Sequence, residues 1–187
     1  MSESAYYTDE DIRQIGLKKC GKNVKISRKS CLYGPEHMII GDNSRIDDFC
    51  ILSGSISLGA YVHIAAFCGL WGHEGIVMED FAGLSANVLI YSSSDDYSGA
   101  FLTNPTVPRE YMQTYGGRVI LRRHVIIGAG TVILPRVTIG EGAAVGAMSM
   151  VSKSLEPWWI YAGVPVKRIK KRKKDLLKLE KMLAGKI

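Results

Sequence analysis

The chain has 187 residues, 47% hydrophobic and 22% charged, a balance typical of one globular domain with a full core. It contains no apolar run near the roughly 20 residues of a membrane span, and its polar start lacks the apolar segment of a secretory signal. The net charge of +6 is concentrated at 167–174, where the absence of aromatic residues to stack bases argues against nucleic-acid binding.

The first predicted element is a short amphipathic helix over residues 7–17. Thr8 is placed to cap it, and the acidic residues of its first turn suit the positive end of a helix. We predict a single domain over residues 1–187, in which this helix precedes the main body.

Between residues 20 and 151 an aliphatic or cysteine side chain recurs at every sixth position, with breaks after Leu32, Leu70 and Ile90. A period of six fits neither an α-helix nor a hairpin meander, but it fits a three-sided prism in which about 18 residues make one coil. We therefore predict a parallel β-helix over residues 20–151. The repeat positions are Cys20, Ile26, Leu32, Ile40, Ile46, Leu52, Leu58, Ile64, Leu70, then Met78, Leu84, Ile90, and then Leu121, Ile127, Ile133, Ile139, Val145, Val151.

The four cysteines, Cys20, Cys31, Cys50 and Cys68, show no CxxC pair and no metal-ligand spacing. Cys50 and Cys68 are 18 residues apart, so they occupy the same inward position on adjacent coils. We expect reduced thiols that pack in the core, a cytoplasmic location and no metal site.

Two segments depart from the repeat. Residues 91–118 are rich in Ser, Asp, Gly, Asn and Pro, which predicts a long excursion of the kind that usually carries function. Residues 168–184 predict a C-terminal helix that would cap the open end of the β-helix.

The most specific stretch of the repeat runs from Ile126 to Lys171, IIGAGTVILPRVTIGEGAAVGAMSMVSKSLEPWWIYAGVPVKRIKK. With the repeats before it, it resembles the left-handed β-helix hexapeptide acyltransferases, which include galactoside, maltose and xenobiotic acetyltransferases and nucleotide-sugar N-acetyltransferases. The resemblance implies an all-β, left-handed parallel β-helix with short terminal helices and one long loop insertion. It also implies a homotrimer with active sites between neighbouring β-helices and acetyl-coenzyme A as co-substrate.

The same resemblance implies which residues contact coenzyme A. In the family, small residues at the coil corners hold the pantetheine arm by their backbone groups, and basic residues after the AGVP motif face the phosphates. Tight corner packing and plain solvation remain alternative roles for these two sets. The residues implied are Gly128, Ala129, Ala147, Ser152, Lys153, Lys167, Arg168 and Lys170.

Acyl transfer needs a base for the attacking group and donors for the oxyanion. Two extra residues interrupt the repeat before Met78, and His73 and Glu74 lie in that interruption. A bulge there would re-aim side chains toward a site. A similar His-Glu pair serves as base and supporting acid in the nucleotide-sugar N-acetyltransferases, so we predict these roles for His73 and Glu74.

The predicted substrate-binding residues are His63, Asp95, Asp96 and Tyr97. Where the galactoside type carries its catalytic histidine, this chain has Asp95. Asp95 and Asp96 can bind sugar hydroxyls, hold an ammonium nucleophile or only stabilise a turn. His63 and Asp95 are further candidates for the base, and the substrate itself is another.

The function that follows is transfer of an acetyl group from coenzyme A to a sugar or nucleotide-linked amino sugar of a surface polysaccharide precursor. O-acetylation of free or glycan-linked sugars and a longer acyl donor stay open. A γ-class carbonic anhydrase is disfavoured because its closely spaced zinc-binding histidines are missing, and a non-catalytic scaffold is disfavoured by the intact AGVPVKRI stretch.

Overall fold

The computed structural model describes residues 5–185, so the ends of the predicted domain, residues 1–4 and 186–187, lie outside the described part. Residues 5–185 contain two α-helices, α1 (Asp9–Ile15) and α2 (Leu176–Ala184), and single 3-10 turns at Pro35–His37 and Arg109–Tyr111. The strands, in chain order, are β1 (Lys19–Cys20), β2 (Lys25–Ile26), β3 (Cys31–Tyr33), β4 (Met38–Ile40), β5 (Arg45–Ile46), β6 (Ile51–Leu58), β7 (His63–Ile64), β8 (Gly69–Met78), β9 (Gly83–Leu84), β10 (Leu89–Tyr91), β11 (Ser93–Asp95), β12 (Thr114–Gly116), β13 (Val119–Leu121), β14 (Ile126–Ile127), β15 (Val132–Ile133), β16 (Thr138–Ile139), β17 (Ala144–Val145), β18 (Met150–Val151), β19 (Trp159–Ala162) and β20 (Lys167–Lys171).

The strands form a left-handed parallel β-helix of about seven coils, which confirms the predicted fold class. Face A is the eight-stranded sheet β2-β5-β7-β9-β14-β17-β19-β20. Face B contains β3, the first part of β6 and β8, and β10, β15 and β18. Face C contains β1, β4, the second part of β6 and β8, and β13 and β16. Long β6 and β8 join faces B and C into one sheet.

The core is the column of repeat residues, stacked coil upon coil. Residues such as Ile46, Ile64 and Leu84 are fully buried, as the period of six requires. Cys50 and Cys68 are also buried, and their thiols each donate to a backbone carbonyl of the next coil at 3.2 Å. Both cysteines therefore have the packing role predicted for them.

Helix α1 is shorter than the predicted 7–17. Thr8 caps it as expected, because its hydroxyl accepts from the Asp11 backbone N–H and the Asp11 carboxylate accepts from the Thr8 backbone N–H. The helix ends at Ile15 because Gly16 adopts a left-handed conformation with φ of 81°.

The prediction of a helix over 168–184 is wrong in its first part. Lys167–Lys171 forms β20, which pairs antiparallel with β19, and helix α2 begins only at Leu176. The last coil leaves a row of unpaired backbone groups on β19, and pairing with this segment satisfies them. That gain outweighs the local helical pattern, so the end of face A is closed by a strand.

The predicted excursion over 91–118 is present, although Tyr91 still belongs to β10. It begins and ends as an antiparallel pair, β11 with β12, and the chain re-enters face C at β13. The whole excursion therefore projects from the corner between faces B and C.

Candidate functional site

A column of alanines lies at the A–B corner, where the chain turns from face A to face B. Ala86, Ala129 and Ala147 stand on successive coils and are exposed. Their carbonyls accept hydrogen bonds within the β-helix, whereas none of their backbone N–H groups has a partner among residues 5–185. This corner column can therefore donate three aligned hydrogen bonds to the carbonyl groups of an extended ligand.

Neighbouring coils touch closely beside the column. A Cβ atom on Gly128 would overlap the backbone nitrogen of Ala147, so only glycine fits there. At the C-terminal end Gly163 continues the corner, and its N–H donates to the hydroxyl of Ser149 at 3.1 Å. The turn at Gly163 leads directly into β20.

The basic residues of β20 are all exposed, but they differ in their contacts. Arg168 forms an ion pair with Glu156 and lies 4.3 Å from the Trp159 ring centre, whereas the side chains of Lys167 and Lys170 make no hydrogen bond, ion pair or ring contact within residues 5–185. Ser152 and Lys153 follow β18 on the far side of face B, so the structure does not bring them to the corner column.

A cavity of about 580 Å³ lies on face A and borders the corner column. We call it the face-A cavity. Its lining combines aromatic residues, small residues and one guanidinium group. Its lining residues include Tyr61, His63, Ala65, Phe81, Gly83, Ser85, Ala86, His124 and Arg172.

His63 stands at the rim of this cavity beside Asp47. His63 Nε2 lies 2.8 Å from Asp47 Oδ2, and the Asp47 carboxylate also accepts from Arg45 Nε at 2.5 Å. Burial alone raises the pKa of Asp47, but the hydrogen bonds from His63 and Arg45 outweigh it and hold the pKa below its ordinary value. Because the carboxylate accepts at Nε2, the free Nδ1 of a neutral ring is a hydrogen-bond acceptor.

His73 and Glu74 lie in a bulge of β8, as predicted. Between the pairs Gly54–Gly72 and Ile56–Ile76, β6 has one residue and β8 has three. His73 Nδ1 contacts Glu74 Oε1 at 3.0 Å, and the Glu74 backbone N–H donates to the Ser92 hydroxyl at 2.8 Å. The imidazole is exposed and borders a cavity of about 470 Å³ formed with the excursion.

Asp95 and Tyr97 border a second cavity of the excursion, of about 490 Å³, over face B. The Asp95 carboxylate accepts one hydrogen bond, from the backbone N–H of Asn104 at 3.2 Å. Thr114 lines this cavity and also the His73 cavity, so the two adjoin. The structure thus brings together His73, Asp95 and Tyr97, whereas His63 lies on a different face.

The Asp96 side chain bonds to its own turn. Its carboxylate is buried and accepts from the Ser98 hydroxyl and from the backbone N–H groups of residues 98–101. Of the roles considered for Asp96, stabilisation of the turn is the one that these contacts describe, and no acceptor capacity is left for a sugar.

The comparisons with known proteins agree with this geometry. Residues 118–153 match the family model described as bacterial transferase hexapeptide (six repeats). An Escherichia coli dTDP-4-amino-4,6-dideoxy-D-glucose acyltransferase is 43% identical over 179 residues, which cover 94% of this chain and 93% of that protein. The chain belongs to the hexapeptide-repeat acyltransferases.

Solved structures of AntD, an N-acyltransferase from Bacillus cereus, match this acyltransferase along its whole length. The complex of AntD with dTDP and 3-hydroxybutyryl-CoA has a TM-score of 0.96 and 49% identity, and the match covers 98% of each chain. An AntD variant was solved with dTDP-4-amino-4,6-dideoxyglucose and coenzyme A at 48% identity, 99% and 100% coverage and the same TM-score of 0.96. AntD variants replace one serine or one aspartate ten residues apart.

A maltose O-acetyltransferase from Clostridium difficile shares the fold of this acyltransferase, with a TM-score of 0.64 at 23% identity over 93% of this chain and 80% of that one.

No helix within residues 5–185 is long and apolar enough to cross a membrane. No three His, Cys, Asp or Glu side chains in that range are grouped to hold a metal ion.

Sequence reasoning missed three residues of the acyltransferase: Ser85 and Thr114, which line these cavities, and Asp47, which contacts His63. The Ser85 hydroxyl has no partner within residues 5–185. A signal was present for two of them. On face A the position after the repeat residue is Ala or Gly at 65, 128 and 146, but it is polar at Ser27, Asp47 and Ser85.

Proposed function

We propose that this acyltransferase moves an acyl group from coenzyme A to the 4-amino group of dTDP-4-amino-4,6-dideoxyglucose. The observation that carries the proposal is the 43% identity to an enzyme of that name over 94% of this chain. That coverage includes the bulge and the excursion, where the acceptor is expected to bind. O-acetylation of sugars is the weaker alternative, since the maltose enzyme is similar in fold alone.

The corner column and β20 fit coenzyme A. Ala86, Ala129 and Ala147 offer free N–H groups to the amide carbonyls of a pantetheine arm, and Lys167 and Lys170 offer free charges to its phosphates. Three coil steps of about 4.8 Å separate the level of Gly163 from that of Ala86, roughly 14 Å in total. Phosphates at β20 therefore place the thioester near Ala86 and Ser85.

Asp95 and His73 fit the acceptor. The Asp95 carboxylate holds the ammonium group of the sugar. The nitrogen of this group must lose a proton before or during its attack, and His73 accepts that proton. His73 Nε2 is free to do so because Nδ1 contacts Glu74. The resulting amine bonds to the thioester carbon and the carbon–sulfur bond breaks. The second proton of the nitrogen passes to the leaving thiolate, so that the products are an amide and the coenzyme A thiol. The free Ser85 hydroxyl is the donor for the oxyanion.

The two halves of this site lie on different faces of one β-helix, because Ser85 borders the face-A cavity and Asp95 borders a cavity over face B. AntD variants replace a serine and an aspartate ten residues apart, the spacing of Ser85 and Asp95 in this chain. We therefore propose a homotrimer in which the corner column of one protomer faces the excursion of the next.

The four unpaired cysteines are consistent with a cytoplasmic location.

Incubating the protein with dTDP-4-amino-4,6-dideoxyglucose and an acyl-CoA tests the reaction. Mass spectrometry is expected to find an amide product, and dTDP-glucose, which offers a hydroxyl at the same carbon, is expected to stay unmodified. Acylation of dTDP-glucose at a comparable rate would instead support the O-acyltransferase alternative.

Mixed trimers test the shared site. Ala147→Trp is expected to block the donor half and Asp95→Asn the acceptor half, so each variant alone is inactive. Co-refolded in equal amounts, the two chains regain about a quarter of wild-type activity if every site combines two chains. No recovery in trimers shown to be mixed would mean that each site lies within one chain.

A further inference from the structure

Helix α2 carries exposed apolar side chains that the proposed reaction does not use. Leu179, Met182 and Leu183 are 64%, 61% and 38% exposed. They are three and four residues apart in the chain, so they lie side by side along one face of the helix. The helix contacts the β-helix through a different face, where Glu180 pairs with His124. We call Leu179, Met182 and Leu183 the apolar stripe.

Lysines border the apolar stripe. Lys178 and Lys181 are exposed on the same helix, and their ammonium groups make no hydrogen bond, ion pair or ring contact within residues 5–185. Lys173 and Lys174, just before the helix, are exposed as well. The one acid of α2, Glu180, is already paired with basic groups of the β-helix. The solvent-facing surface of α2 is therefore apolar and positively charged.

We propose that this surface docks on the anionic surface of a lipid bilayer. The apolar stripe would enter the headgroup region, and the lysines would lie beside the lipid phosphates. A helix that presents leucines next to lysines binds such an interface because its apolar side chains leave water while its charges attract acidic lipids. Docking of this kind goes beyond the proposed reaction and does not depend on it.

The charge and size of the surface favour a bilayer over a protein partner. Two copies of α2 packed stripe to stripe would bring Lys178 and Lys181 of both chains close together, and like charges repel each other. A stable protein–protein interface buries roughly 800 Å² on each partner, which is far more than three side chains offer. Reversible binding to an anionic bilayer needs only a few apolar side chains and a few lysines.

The helix is already held in place before any lipid is met. Glu180 Oε2 lies 2.9 Å from His124 Nε2, and the Arg172 guanidinium donates to the carbonyls of His124 and Gly142 at 2.7 and 3.0 Å. These contacts fix α2 from inside the helix and from the segment before it. Docking therefore does not have to order the helix, and that entropy cost is avoided.

Co-sedimentation with lipid vesicles tests the proposal. Wild type is expected to bind vesicles of equal parts phosphatidylglycerol and phosphatidylcholine, to bind pure phosphatidylcholine at least about tenfold more weakly, and to be released by high salt. Lys178→Gln combined with Lys181→Gln is expected to weaken binding to the anionic vesicles roughly fivefold for each lysine. Lys18→Gln combined with Lys19→Gln is the charge-matched control, since both lysines are exposed at the other end of the β-helix; it is expected to bind as wild type does.

Leu179→Ser combined with Met182→Ser tests the apolar stripe. Binding to the anionic vesicles is expected to fall about tenfold, because less apolar surface leaves water. Acylation of the amino sugar in solution is expected to stay at the wild-type rate, since neither residue contacts the site. The lysine variant keeps the stripe intact, so it tests the docking surface even if the serine variant does not fold.

Four results would overturn the proposal. The first is equal binding of wild type to neutral and anionic vesicles, and the second is undiminished binding by the lysine variant. The third is dissociation of the oligomer in the serine variant, seen by analytical ultracentrifugation, because it would show that another copy of the chain covers the stripe. The fourth is binding of single-stranded RNA without binding of vesicles, which would assign the lysines to a nucleic acid.

Discussion

His124 Nε2 lies 2.9 Å from Glu180 Oε2, so a buried imidazole on the β-helix is tied to the C-terminal helix α2. The other Glu180 oxygen accepts from Arg123. The segment before the helix is held too, because the Arg172 guanidinium donates to the carbonyls of His124 and Gly142 at 2.7 and 3.0 Å. Burial lowers the pKa of Arg172 from its usual value. Together these contacts fasten α2 beside the face-A cavity.

Removing the Glu180 carboxylate is expected to loosen α2. Glu180→Ala leaves the buried His124 ring without its partner, at a cost of about 1–3 kcal/mol in the free energy of unfolding. Denaturant unfolding measures this, and limited proteolysis is expected to cut near residue 175 sooner. Lys178→Ala is the control on the same helix, since the side chain of Lys178 is exposed and without contacts. Equal loss in both variants would contradict a specific tie.

A bulky residue in the corner column is expected to block the donor. Ala147→Trp covers the free N–H groups of the column, so binding of coenzyme A falls below detection in calorimetry while the β-helix stays folded. Glu141→Trp, which adds the same bulk to the same coil at an exposed position on the opposite side of face A, serves as the control. If Ala147→Trp binds coenzyme A normally, the column is not the pantetheine site.

Replacement of the proposed base is expected to slow the chemical step. His73→Asn lowers kcat by about 10² to 10⁴ with little change in coenzyme A affinity, because general-base catalysis is lost. Glu74→Gln costs less, since Glu74 only orients the ring. Steady-state kinetics with the amino sugar provides the measurement. A nearly silent His73→Asn together with a severe Asp95→Asn would move the main role to the carboxylate.

Asp47 is expected to make stability depend on pH in the acid range. Its pKa is lower in the folded protein than in the unfolded chain, so the stability that it adds is present above about pH 4 and is lost as the pH falls through the folded pKa. Urea unfolding from pH 6 to pH 2 is expected to show wild type losing its advantage over Asp47→Asn. A constant difference between the two would show that the charge of Asp47 contributes nothing.

The β-helix was predictable because its rule is local and repeated. The repeat residues from Ile40 to Val151 are all buried, and the bulge at His73 appears as an interruption of their step of six. The strand conformation of residues 168–171 could not be predicted from such a local rule. Those residues form a strand because of an unpaired edge on β19, which is a property of the assembled coil and not of the segment itself.

The site was predictable only in part for a similar reason. The pairing of His73 with Glu74 follows from their adjacency, and the place of Asp95 follows from the excursion. The contact of His63 with Asp47 joins residues one coil apart, and it depends on which side chains share an outward surface. The choice between the alternative roles of Asp96 could not be made from the sequence, which does not reveal that four backbone N–H groups converge on its carboxylate.

Strand β20 bears on how the molecule avoids polymerisation. Parallel coils present the same backbone pattern at their top and bottom, so an uncovered last coil could accept the first coil of another molecule and grow into a fibre. An antiparallel strand does not reproduce that pattern. Its five residues, KRIKK, are all exposed, and four of them are positively charged, so two such edges repel each other. The segment that follows AGVP thereby keeps the solenoid at a fixed length.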